Sequence, residues 1–325
     1  MAKPWDVRHL DAGTPLHSAV RMILNTRVKE AFSYGRRAMK RNNADGVHDM
    51  RVAVRRVTSA LSVFSGCFGK KNRSKLRAPL KDLLAFLGRV RDRDIFIESL
   101  STFKSGQEPQ SPGIDELGRF IAHEARKREK FRRRAKKMLR ELEARHFMRH
   151  FRRSVGRSLR PKGCAELSQS AAQEPVLAIE ARKIVHALLE KFLSHHPGVR
   201  SHPDSAELLH AMRIEGKRVR YGMENFAAAF GDEYAGCLEE VKALLDLMGT
   251  IHDCDVNIPR VARRIERARR AGRDAGALSG FSEELALLRT RLFAEMAGSL
   301  ARWKETDMTG RIARSMTEAT QEGGM

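Results

Sequence analysis

Two stretches of the chain place a histidine and several cations at helical spacing. They read VHDMRVAVRRVTSALSVF (residues 47–64) and LHAMRIEGKRVRYGMENF (residues 209–226). At 3.6 residues per turn, side chains at i, i+3 and i+7 share one face of a helix. That face carries the same chemistry in both stretches: His48, Arg51 and Arg55 in the first, and His210, Arg213, Lys217 and Arg220 in the second. A face so rich in cations lacks the acids that would support an ordinary solvated helix, so an anion from outside is its natural partner.

The opposite face of each stretch is apolar and is expected to lie in a core. Arg56 and Arg218 fall between the two faces. The pattern therefore leaves two roles open for this pair, ligand binding or a nearby salt bridge.

A second matched pair of motifs follows each basic stretch. LLAFLGRVRDRDIF (residues 83–96) aligns with LLDLMGTIHDCDVN (residues 244–257). Repetition with a long period indicates two copies of one structural unit. Four acids recur in this alignment: Asp92 and Asp94 in the first copy, and Asp253 and Asp255 in the second. Because acids repel a phosphate, we expect them to cap a following helix or to pair with the arginines of the basic helices and so fix those side chains.

The charge of the whole chain agrees with an anionic ligand. Lys and Arg total 62 against 40 Asp and Glu, a formal net charge of +22. Such an excess favours association with polyanions. The excess is greatest between Arg119 and Arg160, where four further cations form a helical stripe: Arg126, Lys130, Arg133 and Lys137.

Composition narrows the class of protein further. A hydrophobic fraction of 42% predicts a folded chain, and an aromatic fraction of 6% argues against a stacking platform for single-stranded nucleic acid. No apolar run approaches the length of a membrane span, and the first residues lack the apolar core of a signal peptide. The four cysteines lack C-x-x-C spacing, which favours a reducing compartment and no zinc site. These features predict a cytoplasmic protein that needs no cofactor and has no membrane partner.

The chain reads as helices throughout. We predict them at residues 16–41, 46–68, 73–103, 114–155, 175–195, 204–230, 233–269 and 281–304, with breaks at loops rich in Pro, Gly and Ser. Four helices per copy predict an all-α protein of two four-helix bundles. The predicted boundaries are a first half at 10–160, a linker at 161–175, a second half at 176–305 and a C-terminal tail at 306–325.

The two motifs, H-x-x-R-x-x-x-(R/K)-R followed by L-G-x-x-x-D-x-D, each present twice, resemble the CHAD family of conserved-histidine α-helical domains. The resemblance extends over about residues 10–305. It implies two bundles related by a pseudo-twofold axis, a basic central channel between them, and binding of inorganic polyphosphate, in some members on polyphosphate granules. The positions that it implies for ligand contact are His48, Arg51, Arg55, Arg56, His210, Arg213, Lys217, Arg218 and Arg220. The stripe on 126–137 is added by its charge alone.

Arginine suits such a ligand, because its planar fork can bond two phosphate oxygens at once. A histidine with an ordinary pKa near 6.5 should gain charge beside phosphate, so we expect binding to tighten as the pH falls from about 8 to 6. His48 and His210 could instead be helix-start residues that bond to backbone or to an acid.

Two other functions remain open from the sequence. The charge alone would suit a nucleic-acid binder without sequence preference. The dipeptides His48-Asp49 and His252-Asp253 resemble those of metal-dependent phosphohydrolases, but neither is repeated in the other copy. No P-loop, G-x-G-x-x-G or G-x-S-x-G motif occurs. The sequence therefore predicts a binding protein and no enzyme, and it leaves the oligomeric state open.

Overall fold

The computed structural model describes residues 3–40, 43–159 and 176–318, so the predicted linker at 161–175 lies outside the described residues. Within that part of the chain the first half contains α1 (Leu16–Ser33), α2 (Gly35–Ala38), α3 (Ala44–Val63), α4 (Lys70–Ser105), α5 (Ile114–Ala144) and α6 (Phe147–Ser158). The second half contains α7 (Leu177–Leu193), α8 (His196–Ser201), α9 (Ala206–Phe226), α10 (Asp232–Arg270), α11 (Gly276–Glu305) and α12 (Met308–Glu318). The prediction of an all-α fold is confirmed, since an isolated bridge between Pro15 and Val176 is the sole β-type pairing in the described ranges.

The two basic stretches form α3 and α9, and side-chain caps mark where they begin. The Asn43 side chain accepts a hydrogen bond from the backbone N–H of Gly46 (2.7 Å), so α3 starts slightly earlier than the predicted residue 46. The Ser205 hydroxyl accepts from the N–H of Leu208 (3.3 Å), which agrees with the predicted start of α9. Such caps satisfy backbone donors that have no partner inside a helix.

The predicted helix at 114–155 is wrong in one respect, because it is two helices. His146 has a φ of 50° and ends α5, so that α6 turns back towards the core. Phe147 then stacks on Phe32 of α1 (centroids 5.7 Å apart), and Phe151 is fully buried. A left-handed residue costs a non-glycine side chain some strain, which burial of these rings offsets.

The predicted C-terminal tail also folds back. Asp307 has a φ of 46° and separates α11 from α12. Three residues of α12, Met308, Ile312 and Met316, are at most 2% exposed. Their i, i+4, i+8 spacing gives α12 one apolar face, which packs against the second half.

Two apolar cores of the described residues contain side chains from both halves. A large core runs through both, and within it Phe64 of the first half packs edge-on against Phe226 of the second, with centroids 5.8 Å apart. A smaller core joins α4 and α5 to α10 and α11 and includes Phe96, Phe120 and Phe281.

None of the described helices is both long and apolar enough to cross a membrane.

Candidate functional site

Four cations from the two basic helices converge in one place, which we call the cationic cluster: Arg51, Arg55, Arg213 and Lys217. α3 and α9 pack against each other, so the charged faces of the two sequence motifs come together. Burial, followed by the positive charge of Arg55, lowers the pKa of Arg51. Burial likewise lowers the pKa of Arg213, and Arg55 adds to the effect. The cluster therefore holds like charges close together in a half-buried position.

Paired glycines make room for the two central arginines. A Cβ atom on Gly88 would lie 3.7 Å from Nε of Arg51, and one on Gly249 would lie 3.5 Å from Nη2 of Arg213. Each arginine therefore packs across the helix that carries the glycine of the L-G-x-x-x-D-x-D motif. Within the described residues, the buried Nε atoms of both arginines have no hydrogen-bond partner.

The first acid of each motif lies close to the cluster. Asp92 Oδ1 is 3.7 Å from Nη2 of Arg51. Burial raises the pKa of Asp253, and the nearby charge of Arg213 opposes that rise. Two carboxylates against four cations leave the cluster short of negative charge.

The second acid of each motif holds an arginine from the next helix. Asp94 accepts from Nη1 of Arg128 on α5 (3.2 Å), and Asp255 accepts from Nε of Arg289 on α11 (2.6 Å). The role of these two acids is structural, as predicted, but their arginines lie on α5 and α11 and not on the basic helices. Such pairs fix the long helices α4 and α10 against their neighbours.

Lys217 is the most perturbed cation of the cluster. Burial and the charges of Arg213, Arg55 and Arg51 lower its pKa to about 6. The ligand-free protein therefore holds Lys217 mostly neutral at neutral pH, where an ordinary lysine is charged. An anion within the cluster would reverse this balance, because a nearby negative charge favours the protonated amine.

The histidines lie beside the cluster and are neutral at neutral pH. Burial, with the charge of Arg91, lowers the pKa of His48 to about 4, and neither ring nitrogen of His48 has a hydrogen-bond partner. His210 stacks on His252, with ring centroids 4.6 Å apart and their Nδ1 atoms 3.3 Å apart. Burial and Arg213 lower the pKa of His252 to about 4. In the part of the chain that the structure describes, neither His48 nor His210 forms a hydrogen bond to an acid.

Three predicted site residues have other partners in the structure. Arg56 is 2% exposed and donates to Glu30 and Glu224 (both 2.7 Å), so it resolves to the salt-bridge role. Arg220 is also buried and donates to Glu224 (3.1 Å). Arg218 donates to Glu215 (2.6 Å) at the surface of α9. Glu215 and Glu224 lie three and four residues from Arg218 and Arg220 on α9, so a helical wheel could have indicated these two pairs. The acids that hold Arg56 lie 26 and 168 residues away, where a helical wheel cannot find them.

The predicted stripe lies apart from the basic helices. Arg126, Lys130, Arg133 and Lys137 are all exposed on α5, and Arg133 pairs with Glu129 (3.2 Å). Phe131 lies on the inward side of α5. The centroid of its ring is 4.6 Å from the guanidinium carbon of Arg93. The structure therefore makes the stripe a solvated surface of the first half.

Sequence reasoning missed Tyr221, although it lies in the second basic stretch. Its ring is 7% exposed, and Arg55 lies over it at 5.9 Å from the centroid. A cation over an aromatic face is held by the charge distribution of the ring. Tyr221 thus helps to orient a cluster arginine from the other half.

The two His-Asp dipeptides raised the alternative of a metal site, which the structure allows to be examined. In the described ranges, no three His, Cys, Asp or Glu side chains are grouped so that they could hold a metal ion. Asp49 of the first His-Asp dipeptide instead lies 3.5 Å from Nη1 of Arg37. His252 of the second faces His210, as described above.

Comparison with known proteins shows the family and the fold of this chain. The family model of the CHAD domain matches residues 23–262. The fold is similar to the crystal structure of the CHAD domain from the plant Ricinus communis, with a TM-score of 0.63 and 20% identity over 97% of this chain and 96% of that one. It is also similar to PptA from Streptomyces chartreusis, with a TM-score of 0.62 and 14% identity over 89% of this chain and 100% of that one. The search of curated proteins finds no match. The chain belongs to the CHAD family.

Proposed function

We propose that this protein binds inorganic polyphosphate through the cationic cluster, by electrostatic attraction and without catalysis. The observation that carries the proposal is the convergence of Arg51, Arg55, Arg213 and Lys217, from both basic helices, with too few acids to balance them. Family membership supports the choice of ligand. Polyphosphate has anionic groups in close succession and no bases to be recognised, so it needs cations rather than a stacking surface.

Each part of the cluster has a role in this proposal. Arg51 and Arg213 bond to phosphate oxygens through their guanidinium groups. Lys217 becomes charged as the ligand enters. The acids Asp94 and Asp255 keep the surrounding helices in register. The protein would act in the cytoplasm, including on polyphosphate granules.

Binding should take up protons, and this tests the proposal. Lys217, with a pKa of about 6, is mostly neutral in the free protein above that pH, and phosphate raises the pKa in the complex. Affinity should therefore fall as the pH rises from about 6 towards the pKa of Lys217 in the complex. Calorimetric titration with polyphosphate at pH about 7.5, in buffers of different ionisation enthalpy, should show uptake of about one proton.

A matched pair of variants separates this effect from others. In Lys217→Arg the guanidinium is always charged, so binding should persist while proton uptake falls. Lys130→Arg, at an exposed position of α5, should leave both unchanged. If wild type binds polyphosphate with no proton uptake, Lys217 is not in the site; if it does not bind at all, the proposed function is wrong. The same mixtures with Mg²⁺ or Mn²⁺ should release no orthophosphate.

A further inference from the structure

The second half contains an apolar cleft away from the basic helices, which we call the α8–α11 cleft. It has a volume of about 670 Å³ and lies between α7, α8, α11 and α12. Val199, Met296, Leu300 and Trp303 form its buried walls, and Phe293 is half-buried at one side. Sites for small molecules in proteins have volumes of roughly 300–1,000 Å³ and are mostly apolar.

The corresponding place in the first half is filled by aromatic rings. α1 and α7 begin 161 residues apart, as do α6 and α12, so Leu193 corresponds to Phe32 and Met308 to Phe147. In the first half, the rings of Phe32 and Phe147 stack on each other. The smaller side chains in the second half contribute to the space. The fold itself therefore does not require a cleft here.

Helix α11, which forms the long wall of the cleft, also differs from its counterpart α5 in the first half. Three lining positions of α11 are apolar where α5 carries cations 161 residues earlier: Phe293 for Arg132, Ala297 for Lys136, and Ala301 for Arg140. Because Ala297 and Ala301 have short side chains, they fill little of the space above α11. The equivalent surface of the first half is charged, so the apolar residues here indicate that a ligand or partner covers this surface of α11.

The rim of the cleft is cationic. Arg200 and Lys304 are exposed there, and the half-buried His196 also lines the cleft. Burial and the charges of Arg200 and Lys304 lower the pKa of His196, which places all three side chains near one another. The one acid of the lining, Asp307, already accepts from the N–H of Gly310 (3.1 Å) and from Nη1 of Arg314 (3.2 Å).

We infer that the α8–α11 cleft binds a small amphipathic anion, with a flat or branched apolar body against Trp303 and Met296 and one carboxylate, sulfonate or phosphate group between Arg200 and Lys304. Methionine adapts to irregular apolar shapes, and tryptophan offers a broad flat face. The cations lie at the rim, where they can meet a charged group that stays near water. This inference is independent of polyphosphate binding.

The dye 1-anilinonaphthalene-8-sulfonate has this chemistry and serves as the probe. Titration of the full chain, followed by fluorescence, should show one saturable site. Replacing Ala301 by Phe fills the cleft from an exposed position and should weaken dye binding at least about tenfold. Removing both rim cations, in Arg200→Ala/Lys304→Ala, should weaken it roughly tenfold.

Two controls exclude general attraction of the dye to a basic protein. Arg133→Ala/Arg140→Ala removes two exposed cations from α5 and should leave dye affinity unchanged. Saturating polyphosphate should not displace the dye, because the cleft and the cationic cluster are separate. Circular dichroism of each variant shows whether the helices persist. The absence of a saturable site, an unchanged affinity in Ala301→Phe, or displacement by polyphosphate would each overturn the inference.

Discussion

Replacing Arg51 and Arg213 together by alanine should weaken polyphosphate binding at least about 100-fold, since each charge-assisted hydrogen-bonding group contributes roughly 1.5–3 kcal/mol and about 1.4 kcal/mol is a tenfold change in affinity. Both side chains lie in the cationic cluster and leave the core faces of α3 and α9 untouched. The free protein should stay folded, because the change removes two cations that are held near others. Calorimetric titration at moderate salt measures the loss.

The control for this change removes the same charge elsewhere. Arg126→Ala/Lys130→Ala takes two cations from the exposed stripe on α5 and should change the affinity at most about threefold. A larger effect there than in the cluster variant would place the site on the surface of the first half. Equal effects would mean that net charge alone governs binding.

Replacing Glu224 by glutamine should destabilise the protein by roughly 3 kcal/mol, because it removes a buried negative charge that both Arg56 and Arg220 bond to. Glu224 is 1% exposed and accepts from Arg56 (2.7 Å) and Arg220 (3.1 Å), while its backbone carbonyl accepts from Arg27 (3.2 Å). Although burial opposes it, the charge of Arg56 holds the pKa of Glu224 below its ordinary value. Urea unfolding followed by circular dichroism measures the difference.

This network ties the halves to each other, since Arg27 and Arg56 belong to the first half and Glu224 to the second. Glu239→Gln is the matched control, because its partner Lys242 forms an exposed i,i+3 pair that should contribute at most about 0.5 kcal/mol. A stability loss in Glu224→Gln no larger than in this control would contradict the assigned role of the network.

The sequence predicted the basic helices well because both the charge pattern and the repeat constrain them. Periodicity alone places Arg51 and Arg55 on one face of α3, and Arg213 and Lys217 on one face of α9. The structure brings these two faces together. Periodicity could not decide the role of Arg56, since its partners Glu30 and Glu224 lie far away in the chain. It could not reveal the pKa of Lys217 either, because that value depends on arginines from another helix.

The sequence prediction missed helix α12 and the break between α5 and α6, and the sequence held a clear signal only for the helix. Met308, Ile312 and Met316 have the spacing of an amphipathic helix, so α12 was predictable inside the assumed tail. The break at His146 recurs 161 residues later at Asp307, and both have a positive φ. The repeat extends to these breaks, yet neither residue is a glycine, which is the usual sequence sign of a left-handed turn.

The most direct test of the cationic cluster as the polyphosphate site compares two polyanions in one experiment. Long-chain polyphosphate and duplex DNA of matched charge are titrated into the wild-type protein by calorimetry at moderate salt, and DNA is then added to the polyphosphate complex. A half-buried cluster between two helices should bind polyphosphate much more tightly than a duplex, and excess DNA should not displace it. If both polymers bind equally tightly and with a steep dependence on salt, the cationic cluster is not a specific polyphosphate site. Binding would then be due to the basic surface of the protein as a whole.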